Sequence, residues 1–141
     1  MKHVTRRQAR EYVLQALFSY EFTQTKPAKD DILGTLKLIA PESEPSPGDE
    51  VILFIEDMIN GTIDNMAHID EIIQRRSKNW DLERLACVDR NILRFAVYEI
   101  LYRNDIPRNV SINEAVELAK KYSTQDSYSF INGILDKIQK P

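Results

Sequence analysis

Residues 81–103 constrain this chain more than any other stretch. Leu85, Val88, Ile92, Leu93, Ala96, Val97, Ile100 and Leu101 recur at three- and four-residue steps, the repeat of an α-helix. Together they cover more than half of the helix circumference. A helix apolar on so many sides is surrounded by other elements rather than laid on a surface. Asp81 stands in an N-cap position, so the helix is expected from residue 82 to about residue 103.

The elements around it also read as helices. The chain has four glycines in 141 residues and few β-branched alternations. A first helix is expected over 5–22, with Ala9, Val13, Ala16, Leu17 and Tyr20 as its buried stripe. A second covers 30–39, with Ile32, Leu33, Leu36 and Ile39 inward. Residues 40–49 carry three prolines and a glycine and form a loop. Helical periodicity returns over 50–77, with a break at Gly61 or in 65–68. Pro107 marks a turn over 104–109. Ser111-Ile112-Asn113-Glu114 has the spacing of a capping box and opens a helix to about Tyr122. Asp126 or Thr124 caps a last helix ending near Ile138. The fold class is therefore all-α, a compact bundle of about six to seven helices. A chain of 141 residues with 43% hydrophobic content suits one domain with a real core.

Charge is unevenly spread. The net charge is −3, yet residues 1–25 hold four basic and two acidic side chains, residues 26–80 six and eleven, and residues 81–141 nine of each. Three of the basic residues, Arg6, Arg7 and Arg10, crowd the start of the first helix. A helix N-terminus prefers acids, while Thr5 and Gln8 have the T-x-x-Q spacing that caps it correctly. A local rule broken beside one that is obeyed points to a functional site. The anion that fits best is a nucleic-acid backbone. Arg6 and Arg10 share a helix face and Arg7 flanks them. Tyr12 and Tyr20 are candidates for stacking on bases, or else core residues.

Other chemistries find little support. There is no glycine-rich phosphate loop, nucleophile elbow or H-E-x-x-H motif. His3 lies at the terminus and His68 at a helix junction, and no catalytic residue is assigned. One cysteine, Cys87, and two histidines make a poor metal set, and no cofactor is implied. Cys87 reads as a small buried hydrophobe. A basic N-terminus without an apolar core is not a signal peptide, and no apolar run has the length of a membrane span. A cytoplasmic protein is expected. On the long helix, Asp89 and Glu99 stand among Arg90, Arg94 and Arg103, either as an exposed polar stripe or as one wall of a partner groove.

Several motifs in order resemble one family. They are Arg6-Arg7 with Ala9-Arg10-Glu11, Gln15-Ala16-Leu17-Phe18, Trp80 with Arg84-Leu85, and Val88-Asp89-Arg90-Asn91-Ile92-Leu93-Arg94. Tyr98-Glu99, Asp105-Ile106-Pro107, Ile112-Asn113-Glu114-Ala115, Glu117-Leu118-Ala119-Lys120 and Phe130-Ile131-Asn132-Gly133-Ile134-Leu135-Asp136 complete the series. They resemble the NusB family of bacterial transcription antitermination factors; residues 23–79 match mainly in pattern. The resemblance implies two small helical subdomains, about 1–79 and 80–141. It implies a heterodimer with the ribosomal protein NusE, recognition of single-stranded boxA RNA in ribosomal RNA leaders, and support of processive transcription by RNA polymerase. It places RNA binding on Arg6, Arg7, Arg10, Asp126 and Phe130, and partner binding on Asp89 and Glu99. Gln8 stands where some members have a further arginine. The runner-up is a NusB-like helical interaction module serving an RNA-modifying system. A helix-turn-helix DNA regulator is disfavoured by the acidic total and the lack of a basic recognition helix. The free state is left open between monomer and homodimer.

Overall fold

The computed structural model describes residues 4–42, 49–78 and 80–141, except the side chain of Gln125. His3 and the middle of the 40–49 loop lie outside the described residues. Seven helices occur among those described: α1 (Arg6–Thr23), α2 (Lys29–Ile39), α3 (Glu50–Asp64), α4 (Met66–Arg76), α5 (Cys87–Tyr102), α6 (Arg108–Tyr122) and α7 (Gln125–Leu135). A single 3-10 turn covers Leu82–Arg84. No strand is present among the described residues, and the fold class is all-α as expected. The chain forms two compact units, Met1–Gly61 and Thr62–Pro141. The division falls inside α3, earlier than the 79/80 boundary the resemblance implied.

In the first unit, α1 opens on the expected capping box. The Gln8 N–H donates to Thr5 Oγ1 at 3.1 Å, and the Thr5 N–H donates to Gln8 Oε1 at 2.9 Å. Two orphan donors of the first turn are satisfied reciprocally. The helix stops at Gln24, a left-handed residue (φ 56°) whose N–H and side-chain amide both donate to the Tyr20 carbonyl. The buried residues of this unit include Ala9, Val13 and Leu17 of α1, Ile32 and Leu36 of α2, and Ile52, Ile55 and Ile59 of α3. Asn65 separates α3 from α4, the second of the two expected break points.

In the second unit α5 is the centre. Every residue from 91 to 100 is buried, and α4, α6 and α7 all pack against it. Two helix starts differ from those expected. The long helix begins at Cys87 rather than residue 82, and Asp81 caps only the 3-10 turn, accepting from the Glu83 N–H at 3.2 Å. The cause lies in Arg90, whose Nη1 donates to the Leu85 carbonyl at 2.8 Å and to those of Leu82 and Glu83 at 3.4 Å. A side chain thus supplies donors that α-helical backbone would otherwise have to provide for these carbonyls. α6 begins at Arg108, behind Pro107, one turn before the expected Ser111 box. α7 is preceded by Thr124, one of the two expected caps, which places Asp126 inside the first turn.

The residues after α7 are tied down by cations. Arg108 donates from Nε to the Ile138 carbonyl and from Nη2 to that of Asp136, both at 2.6 Å. Lys140 Nζ donates to the carbonyls of Ile100 at 2.9 Å and Arg103 at 3.0 Å. An ammonium placed there satisfies terminal carbonyls of α5 and meets the negative end of its dipole.

Candidate nucleic-acid interface

The three N-terminal arginines part company in the structure. Arg6 donates from Nη2 to Glu50 Oε1 at 3.2 Å, and its guanidinium lies 4.7 Å from the Phe54 ring centre. Arg10 lies over the same ring at 5.4 Å and is only 3% exposed. Arg7 is exposed. Arg6 and Arg10 do share a face, but that face is turned onto Phe54, where a cation over a ring contributes roughly 0.5–2 kcal/mol. No acid occupies the first turn of α1. The positive end of the helix and Arg7 are thus directed to solvent, while Arg10 belongs to the interior of its unit. Reversing the charge of all three cannot spare the fold, because a glutamate at position 10 would bury an acid.

Tyr12 is buried, and Tyr20 is half-buried. Burial pushes the Tyr12 phenol above its usual range, the nearby Asp31 carboxylate adds to this, and a hydrogen bond with Thr35 opposes it. Tyr12 is a core residue and offers no stacking face.

In the second unit, Asp126 and Phe130 lie four residues apart on α7, hence on one face. Asp126 is exposed in the first turn and Phe130 is half-buried. Phe130 meets the ring of Trp80 edge-on, with centroids 5.6 Å apart and planes at 65°, a favoured aromatic geometry. The two predicted RNA-facing residues of α7 are therefore brought together, and Trp80 joins them.

Asp89 and Glu99 do not form an exposed stripe. Asp89 is 6% exposed and accepts from Ser123 Oγ at 2.6 Å and Ser127 Oγ at 2.9 Å. One carboxylate thereby joins the end of α6 to the first turn of α7. Thr124 makes no side-chain cap to the backbone; its hydroxyl pairs with Ser127 Oγ at 2.8 Å. Glu99 is 1% exposed and accepts from Ser111 Oγ at 2.8 Å, which removes that serine from the capping role expected for it. Arg94 is the third buried polar residue of the series. Its Nε and Nη2 grip both oxygens of Asp70 at 2.8 and 2.9 Å, and Nη1 donates to Asn91 Oδ1 at 3.3 Å. Asp89 and Glu99 are both buried and hold helices together.

Sequence reasoning missed the burial of Arg10 and the serine partners of α5. One signal was available: Asp89, Ile92, Ala96 and Glu99 follow one another at three- and four-residue steps, so both acids lie in the register of the core. Cys87 is half-buried at the start of α5, within 3.3 Å of Asn91 Nδ2. Among the described residues no cluster of three or more His, Cys, Asp or Glu is arranged to hold a metal. Among the described residues no helix is long and apolar enough to cross a membrane.

Comparison with known proteins brings these features under one heading. The profile of the NusB family matches residues 7–140. The chain is 46% identical over 138 residues to the transcription antitermination protein NusB of Thermodesulfovibrio yellowstonii, covering 96% of this chain and 91% of that one. It is 46% identical over 133 residues to the NusB of Geobacter sulfurreducens, covering 94% and 92%. Its structure resembles that of T. maritima NusB, with a TM-score of 0.77, 40% identity, and coverage of 98% of this chain and 92% of that one. The same fold occurs, at 21% identity and a TM-score of 0.76, in antitermination factors NusB and NusE in complex with dsRNA, covering 94% of each chain. The chain belongs to the NusB family.

Proposed function

We propose that this protein binds the boxA element of ribosomal RNA leaders as a single strand, together with the ribosomal protein NusE, and so supports processive transcription by RNA polymerase. The observation that carries this is family membership across residues 7–140. It acts by binding, with no chemical step, in the cytoplasm where nascent RNA is made. The capped but acid-free start of α1, with Arg7 exposed and Arg6 beside it, suits a phosphate. Arg10 serves that site from behind, through Phe54. Asp126 and Phe130 on α7 face the RNA, since unpaired bases stack on aromatic side chains. Asp89 and Glu99 serve NusE binding by holding α6 and α7 in place rather than by touching the partner. A small local footprint binds modestly alone, and a second protein adds area and charge. A gel shift comparing boxA RNA, scrambled RNA and duplex nucleic acid, each with and without NusE, tests the proposal. Equal retardation of all three, or none in the presence of NusE, would overturn it and favour a module without boxA binding.

Two charge changes should act in opposite directions. Arg7→Glu should weaken boxA binding about tenfold, ~1.4 kcal/mol. It should also flatten the salt dependence by about 0.7 log unit per log unit of salt. Asp126→Asn should strengthen binding, most at low salt. Because Asp126 lies in the first turn of α7 rather than at its cap, Asn should also cost about 0.3–1 kcal/mol of helix-dipole stabilisation. Melting temperature and RNA affinity measured on the same samples separate the two effects. An Asn variant that binds RNA more weakly would mean that the carboxylate accepts a hydrogen bond from a base.

A further inference from the structure

Trp80 is the single tryptophan of the chain and is 56% exposed, yet it is held in place. Its carbonyl accepts from Gln74 Nε2 at 2.9 Å and Ser77 Oγ at 3.2 Å. Gln74 Oε1 in turn accepts from the Leu82 N–H at 2.9 Å, so one side chain grips the backbone at both positions. Phe130 braces the ring from one side. The rest of the indole lines an open notch of about 780 Å³ with Gln74, Lys78, Asp81 and Arg84. Lys78 and Arg84 are exposed, and neither has an ion-pair partner among the described residues. The notch thus joins a fixed aromatic face to two exposed cations. Its one acid, Asp81, is engaged with the Glu83 N–H.

We propose that this notch is a nucleotide subsite, in which one base of a single-stranded RNA stacks on Trp80 and a flanking phosphate lies against Lys78 and Arg84. The inference rests on the function proposed above and adds a contact that the arginines of α1 and the α7 pair Asp126 and Phe130 do not supply. Stacking on an aromatic face beside a cationic track is how single strands are held with little regard to sequence. A duplex is excluded from this notch because its bases face each other and cannot be laid on an indole. The firm backbone matters, since a platform already in place loses little freedom when the base arrives.

The protein carries its own reporter, because all tryptophan emission comes from Trp80. Titration of the full chain with a short single-stranded boxA RNA should quench that emission, with the midpoint obtained from the anisotropy of labelled RNA. Trp80→Leu should weaken binding about tenfold, and Trp80→Phe, which keeps a smaller stacking face, should weaken it less. Arg84→Gln, at an exposed position, should weaken binding and flatten the salt dependence; it provides a second variant should Trp80→Leu fold poorly. If labelled RNA binds with full affinity while emission does not change and Trp80→Leu binds as well as the parent, the subsite is wrong and the proposed function stands. If no RNA binds even with NusE, both fall. Quenching by an acidic peptide but not by RNA would assign the notch to a protein partner and overturn the proposal.

Discussion

Glu99→Lys should destabilise the second unit by about 4 kcal/mol, within the ~3–5 kcal/mol range for an uncompensated buried charge. Glu99 is almost fully buried in the last turn of the most enclosed helix and accepts the Ser111 hydroxyl. An ammonium placed there removes that acceptor and has no water to replace it. Asp89→Lys should behave alike, because Ser123 and Ser127 lose a shared acceptor at the α6–α7 junction. Thermal melts should show a fall of roughly 10–20 °C, given a few degrees per kcal/mol for a chain of this size. A melting temperature within a degree or two of the parent would show that these side chains can reach solvent, and would restore them as surface charges. The conservative variants Glu99→Gln and Asp89→Asn keep shape and an acceptor oxygen, and they are the proper reagents for NusE. Charge reversal at either position would lose the proposed NusE binding merely by losing the fold.

Arg94→Met should be the next most damaging change. The guanidinium holds both oxygens of Asp70 and also reaches Asn91, so its removal leaves a carboxylate without its fork of donors. Breaking a buried pair by removing one partner costs ~3–5 kcal/mol. The lower end applies here, because the Asp70 side chain is 28% exposed and can partly rehydrate. Replacing both partners, Arg94→Met with Asp70→Leu, should recover much of the loss, since the desolvation penalty of two charges is removed together. A double-mutant cycle by chemical denaturation measures the coupling. Strict additivity of the two single losses would contradict the geometry.

What the sequence made legible was local. The capping box of α1 involves residues three apart, and it formed as read. The break near Asn65 and the enclosed character of α5 also follow from neighbours along one helix. The misplaced boundaries all involve side chains that reach further. Arg90 draws off carbonyls up to eight residues behind it, so a periodic pattern continuous from Leu85 to Leu101 begins as a helix only at Cys87. Ser111 has the spacing of a cap but its hydroxyl goes to Glu99, twelve residues back. Arg10 looked like a surface cation because Phe54, the ring it covers, lies on α3. Of the candidate site residues, Arg7 and Asp126 are exposed and Phe130 is half-buried. Trp80 entered the reading only as a family mark; its pairing with Phe130 spans fifty residues and had no local signature.

The cap that Lys140 places on α5 also bears on the order in which the protein is made. The last carbonyls of its central helix are satisfied by a residue some forty positions downstream, and Arg108 fastens the intervening tail. During synthesis the second unit therefore lacks the clasp at the end of α5 until residue 140 has emerged. The first-unit bonds described above, from the Thr5–Gln8 box to Arg6–Glu50, can close far earlier, in keeping with the tendency of N-terminal units to fold first. Nascent chains halted just before that lysine should resist protease over the first unit and remain cleavable around Arg103. Equal protection of both regions would show that the clasp is dispensable.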